Sequence, residues 1–173
     1  MVDFPIALAA VNAMDAPAFV AAFGDVAEHS AWVAELAAAQ RPFASKHAMI
    51  EAFGDEVREA GPAKKLALLR AHPDLAGRAA IAGDLAAESR REQAGAGLDT
   101  LTAEEFRRFT DLNQAYTERF GFPFILAVRG ADKQTILDAF GERIEREPEA
   151  EMAMAVSEVV RIIGSRIEDR VTS

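Results

Sequence analysis

Apolar residues recur every three to four positions along most of the chain, and short polar, glycine or proline breaks separate one run from the next. Asp15-Ala16-Pro17 precedes AFVAAFG, so an N-capping carboxylate is followed by a proline inside the first turn. HSAWVAELAAAQ continues the pattern, with Trp32, Val33 and Leu36 at i, i+1 and i+4 as its predicted buried stripe. Ser45 is placed to cap KHAMIEAFGDEVREA, and Gly61-Pro62 ends that helix and starts KKLALLRA. Thr102 and Glu105 form a capping box ahead of a long helix that Gly121 stops. Ile136, Leu137, Phe140 and Ile144 stripe the next helix, and Pro148 starts a last one that runs to about Val171. Residues 122–128, FPFILAV, are apolar enough for a strand, but a lone strand leaves its ladder unpaired, so an extended connection is expected instead. The fold class is therefore all-α: one domain over residues 1–173, a compact bundle of about eight helices.

The dipeptide Phe-Gly occurs at 23–24, 53–54, 120–121 and 140–141. The expectation for all four is a glycine in left-handed conformation ending a helix, with the phenylalanine filling the core beside it. His29 is expected near a helix start, and His47 in a first turn close to Ser45.

Composition narrows the classes of function. The chain has 173 residues, half of them apolar, and a net charge of −9, which gives no electrostatic reason to bind nucleic acid or anionic lipid. It has no cysteine, so disulfides, thiolate metal sites and a thiol nucleophile are excluded. Its first residues lack a basic, apolar leader, and no run approaches the ~20 apolar residues of a membrane span. A cytoplasmic protein is expected. No HExxH helix, glycine-rich phosphate loop or GxSxG elbow occurs, so no metal ligand set is predicted.

Three stretches carry possible chemistry. In RAHPDLAG, Pro73 pushes His72 out of helical conformation, leaving an imidazole at a bend; Pro73 and Asp74 then suit the first turn of a new segment. In ESRREQAGAGL, Ser89, Glu92 and Gln93 fall at i, i+3 and i+4 and share one helix face, a hydroxyl, a carboxylate and an amide fit to grip a small polar heterocycle. In FGFPFILAVRG, the amides of Phe124, Ile125, Leu126 and Ala127 must pair within the protein or point at a ligand. Each has a plainer account: a capping histidine, a solvated helix face, a core-forming connection. Spacing alone leaves both accounts open.

HPDLAG, the SxxEQxxAGL pattern within ESRREQAGAGL, and FGFPFILAVRG, in that order, resemble the OHCU decarboxylases, which act on 2-oxo-4-hydroxy-4-carboxy-5-ureidoimidazoline. FGDVAEHSAWVAELA and the RPF at 41–43 look like the same family, so the resemblance covers nearly the whole chain. It implies a cofactor-free helical decarboxylase, usually a homodimer, forming (S)-allantoin and CO2. The family's catalytic histidine falls on His72 and its catalytic glutamate on Glu92. Its substrate-binding positions fall on Pro73, Ser89 and Gln93, on the backbone from Phe124 through Ile125, Leu126 and Ala127 to Val128, and on Arg166. The partner implied is a small ureidoimidazoline, with no nucleic acid and no membrane. The alternatives are another ureide or purine-catabolic lyase or hydrolase using the same pocket, and an acidic helical interaction module. The module requires the 89–93 face to be solvent-exposed.

Overall fold

The computed structural model describes residues 3–77 and 85–173. Among these residues are nine helices: α1 (Leu8–Ala13), α2 (Ala16–Phe23), α3 (Trp32–Ala38), α4 (Lys46–Glu59), α5 (Pro62–Ala71), α6 (Ala87–Gly95), α7 (Ala103–Phe120), α8 (Lys133–Arg143) and α9 (Pro148–Arg170). Two two-residue strands, β1 (Ile6–Ala7) and β2 (Val171–Thr172), pair in parallel. The class is all-α as expected, with one helix more than foreseen, and no helix among the described residues is long and apolar enough to cross a membrane. The strand pair was not foreseen.

The helix ends follow local chemistry. Asp15 accepts from the Ala18 amide and Ser45 from the Ala48 amide. The Thr102–Glu105 box is reciprocal, each side chain accepting from the other residue's amide. Gly121, at φ +78°, is the left-handed stop of α7. The other three Phe-Gly glycines correct the expectation. Gly24 is right-handed, while Gly54 and Gly141 lie inside α4 and α8. Gly54 is closely approached: a Cβ there would lie 3.0 Å from Arg58 Nη1 and 3.1 Å from Val160 on α9, and one at Gly164 within 3.2 Å of Ile50 on α4, so the neighbours would have to give way. The phenylalanines behave as expected at 23, 53 and 140, all fully buried.

The chain falls into two compact units, one of residues up to Ala71 with Val159–Ser173, the other of His72–Glu158. In the first, Phe19 sits among Phe23, Phe43 and Phe53, with ring centroids 5.1–6.1 Å apart. The α3 stripe is displaced from its predicted position. Val33, Ala34, Ala37 and Ala38 face inward, and Leu36 is exposed. Val33 and three alanines form the inward side of α3, and Leu36 is left on the other. His29 lies in a turn at φ +46°, three residues before α3, and His47 is the second residue of α4.

The second unit is built around Tyr116, whose ring lies 4.6–6.2 Å from those of Phe120, Phe122, Phe124 and Phe140. Phe124 and Phe140 stack at 3.7 Å. Residues 122–128 form neither helix nor strand, so a strand is absent there, as expected.

Candidate active site

The imidazole at the break is buried. Helix α5 ends at Ala71, because Pro73 denies the next turn an amide donor, and His72 is left 7% exposed. Pro73 and Asp74 do not open a helix within the described residues; they lead into a turn at Leu75–Ala76, and residues 78–84 lie outside the described chain. The turn is tight and strained. Ala76 holds φ +53°, a region that costs a non-glycine residue about 1–2 kcal/mol. A Cβ on Gly77 would meet that of Asp74 at 2.8 Å, so glycine is required there.

Two buried amide side chains hold this turn. Gln93 of α6 accepts from the Ala76 amide at 3.0 Å and donates to the Asp74 carbonyl at 3.4 Å. Asn113 of α7 donates to the Leu75 carbonyl at 2.8 Å. Three consecutive turn residues are thus gripped from two helices, and the strain at Ala76 is offset by bonds made only in this conformation. Asp74 retains an exposed surface, yet partial desolvation pushes its carboxyl above the ordinary range.

Helix α6 presents Ser89 and Gln93, both 4% exposed, while Arg90 and Arg91 face solvent and Glu92 is half-buried. The solvated-face account therefore fails for Ser89 and Gln93, and with it the requirement of the interaction-module alternative. The helix closes in a Schellman arrangement: Gly97, at φ +77°, donates to the Ala94 carbonyl, and Leu98 to that of Gln93.

The third stretch is anchored by charges. Arg143, on α8, donates to the Ile125 carbonyl at 2.6 Å. Glu158, on α9, accepts from the Ala127 amide at 2.8 Å. The amides of Phe124, Ile125 and Leu126 meet no acceptor among the described residues. Phe124, Ile125 and Val128 are buried; Leu126 and Ala127 are half-buried. Arg143 is fixed by Glu151, which its Nε reaches at 2.7 Å and its Nη2 at 2.5 Å, and its guanidinium lies 4.4 Å from the Phe124 ring centroid. The Tyr116 hydroxyl also donates to Glu151, and burial beside that carboxylate drives its pKa far up.

His72, Pro73, Ser89, Glu92, Gln93 and the 124–128 backbone thus lie in one unit, and Gln93 joins the histidine's turn to the acid-amide helix directly. Arg166 belongs to the other unit. It pairs there with Glu28 at 3.0 Å and donates to the Val26 carbonyl at 3.2 Å. Among the described residues no three His, Cys, Asp or Glu side chains gather as a metal site requires.

Sequence reasoning missed Asn113, Arg143, Glu151 and Glu158. A signal existed: each is a polar residue at a core register. Asn113 lies between Phe109 and Tyr116, and Arg143 follows Ile136 and Phe140 on the buried row of its helix.

Comparison with known proteins agrees with this assembly of motifs. The sequence model of the family described as OHCU decarboxylase matches residues 12–168. The 2-oxo-4-hydroxy-4-carboxy-5-ureidoimidazoline decarboxylase of Haloferax volcanii is 40% identical over 97% of this chain and 98% of that protein. The enzyme of the same name from Mus musculus is 40% identical over 92% of this chain and 89% of its own. The crystal structure of (S)-allantoin synthase superposes with a TM-score of 0.76 at 31% identity, covering 94% of this chain and 53% of that one. The chain thus spans about half the length of that solved protein. A family match across most of the chain, near full-length relatives and the three motifs gathered in one unit converge: the chain belongs to the OHCU decarboxylase family.

Proposed function

We propose that the chain decarboxylates 2-oxo-4-hydroxy-4-carboxy-5-ureidoimidazoline to (S)-allantoin and CO2 in urate degradation, as a carboxy-lyase. The observation that carries this reading is the hydrogen bond from the Ala76 amide to Gln93, which ties the turn that follows His72 to the helix bearing Ser89 and Glu92. The carbon–carbon bond to the carboxylate breaks, CO2 leaves, and the electron pair moves into the adjacent unsaturated ring. Fixed hydrogen-bond donors stabilise that pair, and the Ile125 and Leu126 amides supply them here. A proton then reaches one face of the ring carbon, which sets the (S) configuration. His72 delivers it, since imidazole exchanges protons near neutrality, and Glu92 orients the substrate or the imidazole. Pro73 shapes the wall beside His72. Ser89 and Gln93 hold the ureido and ring polar atoms, Gln93 through the N–H that the turn leaves over. No cofactor is called on for any of these steps. Cytoplasmic residence and a homodimeric assembly belong to the same reading.

Spontaneous decay of this substrate gives racemic allantoin, so circular dichroism of freshly generated substrate reads catalysed turnover alone. His72→Asn should abolish the (S)-allantoin signal with helicity intact. Near-normal enantioselective turnover by that variant would refute the assignment.

A further inference from the structure

The second unit contains a full ion pair where an apolar pair would serve stability as well. Arg143 is 4% exposed, and Glu151 and Tyr116 are completely buried. Replacing such a pair with apolar residues of similar volume is often neutral or stabilising for a fold. The side chains of this cluster do one thing that apolar residues cannot. Arg143 Nη1 grips the Ile125 carbonyl at 2.6 Å, while its Nε donates to Glu151 Oε1, its Nη2 lies 2.5 Å from the same oxygen, and its flat face lies over Phe124.

The consequence follows from peptide geometry. In a trans peptide the C=O of one residue and the N–H of the next point in opposite directions across a rigid plane. The bond between Ile125 and Leu126 is trans. Fixing the Ile125 oxygen towards Arg143 therefore fixes the Leu126 N–H towards the opposite side. The next plane is fixed as well, because Glu158 takes the Ala127 N–H at 2.8 Å. The Leu126 N–H thus belongs to one pinned plane, adjoins a second, and has no acceptor among the described residues.

We infer that Arg143, held by Glu151 and Tyr116, is a positioning residue that aims the Leu126 amide at the substrate oxygen on which charge develops as CO2 leaves. The inference rests on the proposed reading that the 124–128 backbone meets the substrate. A donor preorganised this way has no reorganisation left to do at the moment of reaction. Arg143 touches no reacting atom; it acts through the peptide plane.

The test is the double variant Arg143→Met/Glu151→Leu, which removes both charges together. Three readings are taken: cooperative thermal melting, kcat and KM separately in the circular dichroism assay, and the Leu126 amide resonance during titration with (S)-allantoin. The folded double variant should lose about tenfold to a hundredfold in kcat with KM changed by less than about threefold, the pattern of a donor used mainly in the transition state. The response of the Leu126 amide to (S)-allantoin should disappear with it. If the double variant does not fold, Arg143→Lys keeps a charge beside Glu151 but lacks the planar fork, and it should give the same split. A folded variant with kcat within about threefold of wild type overturns the role of Arg143. So does an allantoin response at Leu126 that persists unchanged in the variant. A wild-type Leu126 amide indifferent to (S)-allantoin removes the underlying reading of the segment, and this inference falls with it.

Discussion

Two backbone stretches of the second unit are held in place by side chains, and the chemistry of the grip differs between them. The turn at Asp74–Ala76 is held by two neutral amides, Gln93 and Asn113. The irregular run at Ile125–Ala127 is held by ions, Arg143 on a carbonyl and Glu158 on an amide. A neutral amide carries both a donor and an acceptor, so Gln93 can accept from one backbone group of a strained turn and donate to another at modest desolvation cost. A buried ion needs a counter-ion, and Arg143 therefore brings Glu151 and Tyr116 into the core with it. Losing one partner of the charged grip is the costlier failure.

The largest expected effect breaks the charged side. Arg143→Ala alone leaves the Glu151 carboxylate buried with one partner removed, and should destabilise the protein by about 3–5 kcal/mol in urea unfolding. The paired Arg143→Met/Glu151→Leu change should sit far closer to wild type, and equal losses for the two would mean that the ion pair stabilises the fold on its own account. On the neutral side, Gln93→Leu removes the acceptor for a buried amide and should cost about 1–3 kcal/mol. Hydrogen exchange at Ala76 should accelerate in that variant; unchanged protection there would deny Gln93 its hold on the turn.

The smallest effect concerns Asp74, whose carboxyl pKa is raised by desolvation. Below the ordinary carboxyl range both folded and unfolded chains are protonated, and the group contributes nothing. As pH rises through the raised value, the folded chain must ionise a carboxylate that water solvates better in the unfolded chain, so stability falls there. Asp74→Asn should therefore raise the unfolding midpoint near neutral pH and leave it unchanged at about pH 3. A gain of equal size at both pH values would assign the effect to packing instead of charge.

Much of this arrangement was legible in the letters. The caps at Asp15, Ser45, Thr102 and Gly121 were readable because capping is a contest between a side chain and an amide only a few residues away. The shared face of Ser89, Glu92 and Gln93 was readable for the same reason, since helical periodicity is local. The inward face of α3 was misjudged, because alanines carry little weight in a pattern of larger apolar residues even where they form the packed side. Gly54 is a helix-interior residue and not a helix stop, because its surroundings include Val160, more than a hundred residues on, whose approach no local pattern shows.

The sequence by itself determined an all-helical chain, broken by Pro73 at a histidine, with three motifs specific enough to identify the family. Those features depend on backbone sterics and on neighbours within a few positions, where residue type settles the outcome. Only the tertiary structure decided that Gln93 grips the turn next to His72, that Asn113 joins it, and that Arg143 governs a peptide plane 18 residues before it. Hydrogen bonds of that range depend on which helix faces pack together, and packing is a property of the whole unit that no single stretch of sequence specifies.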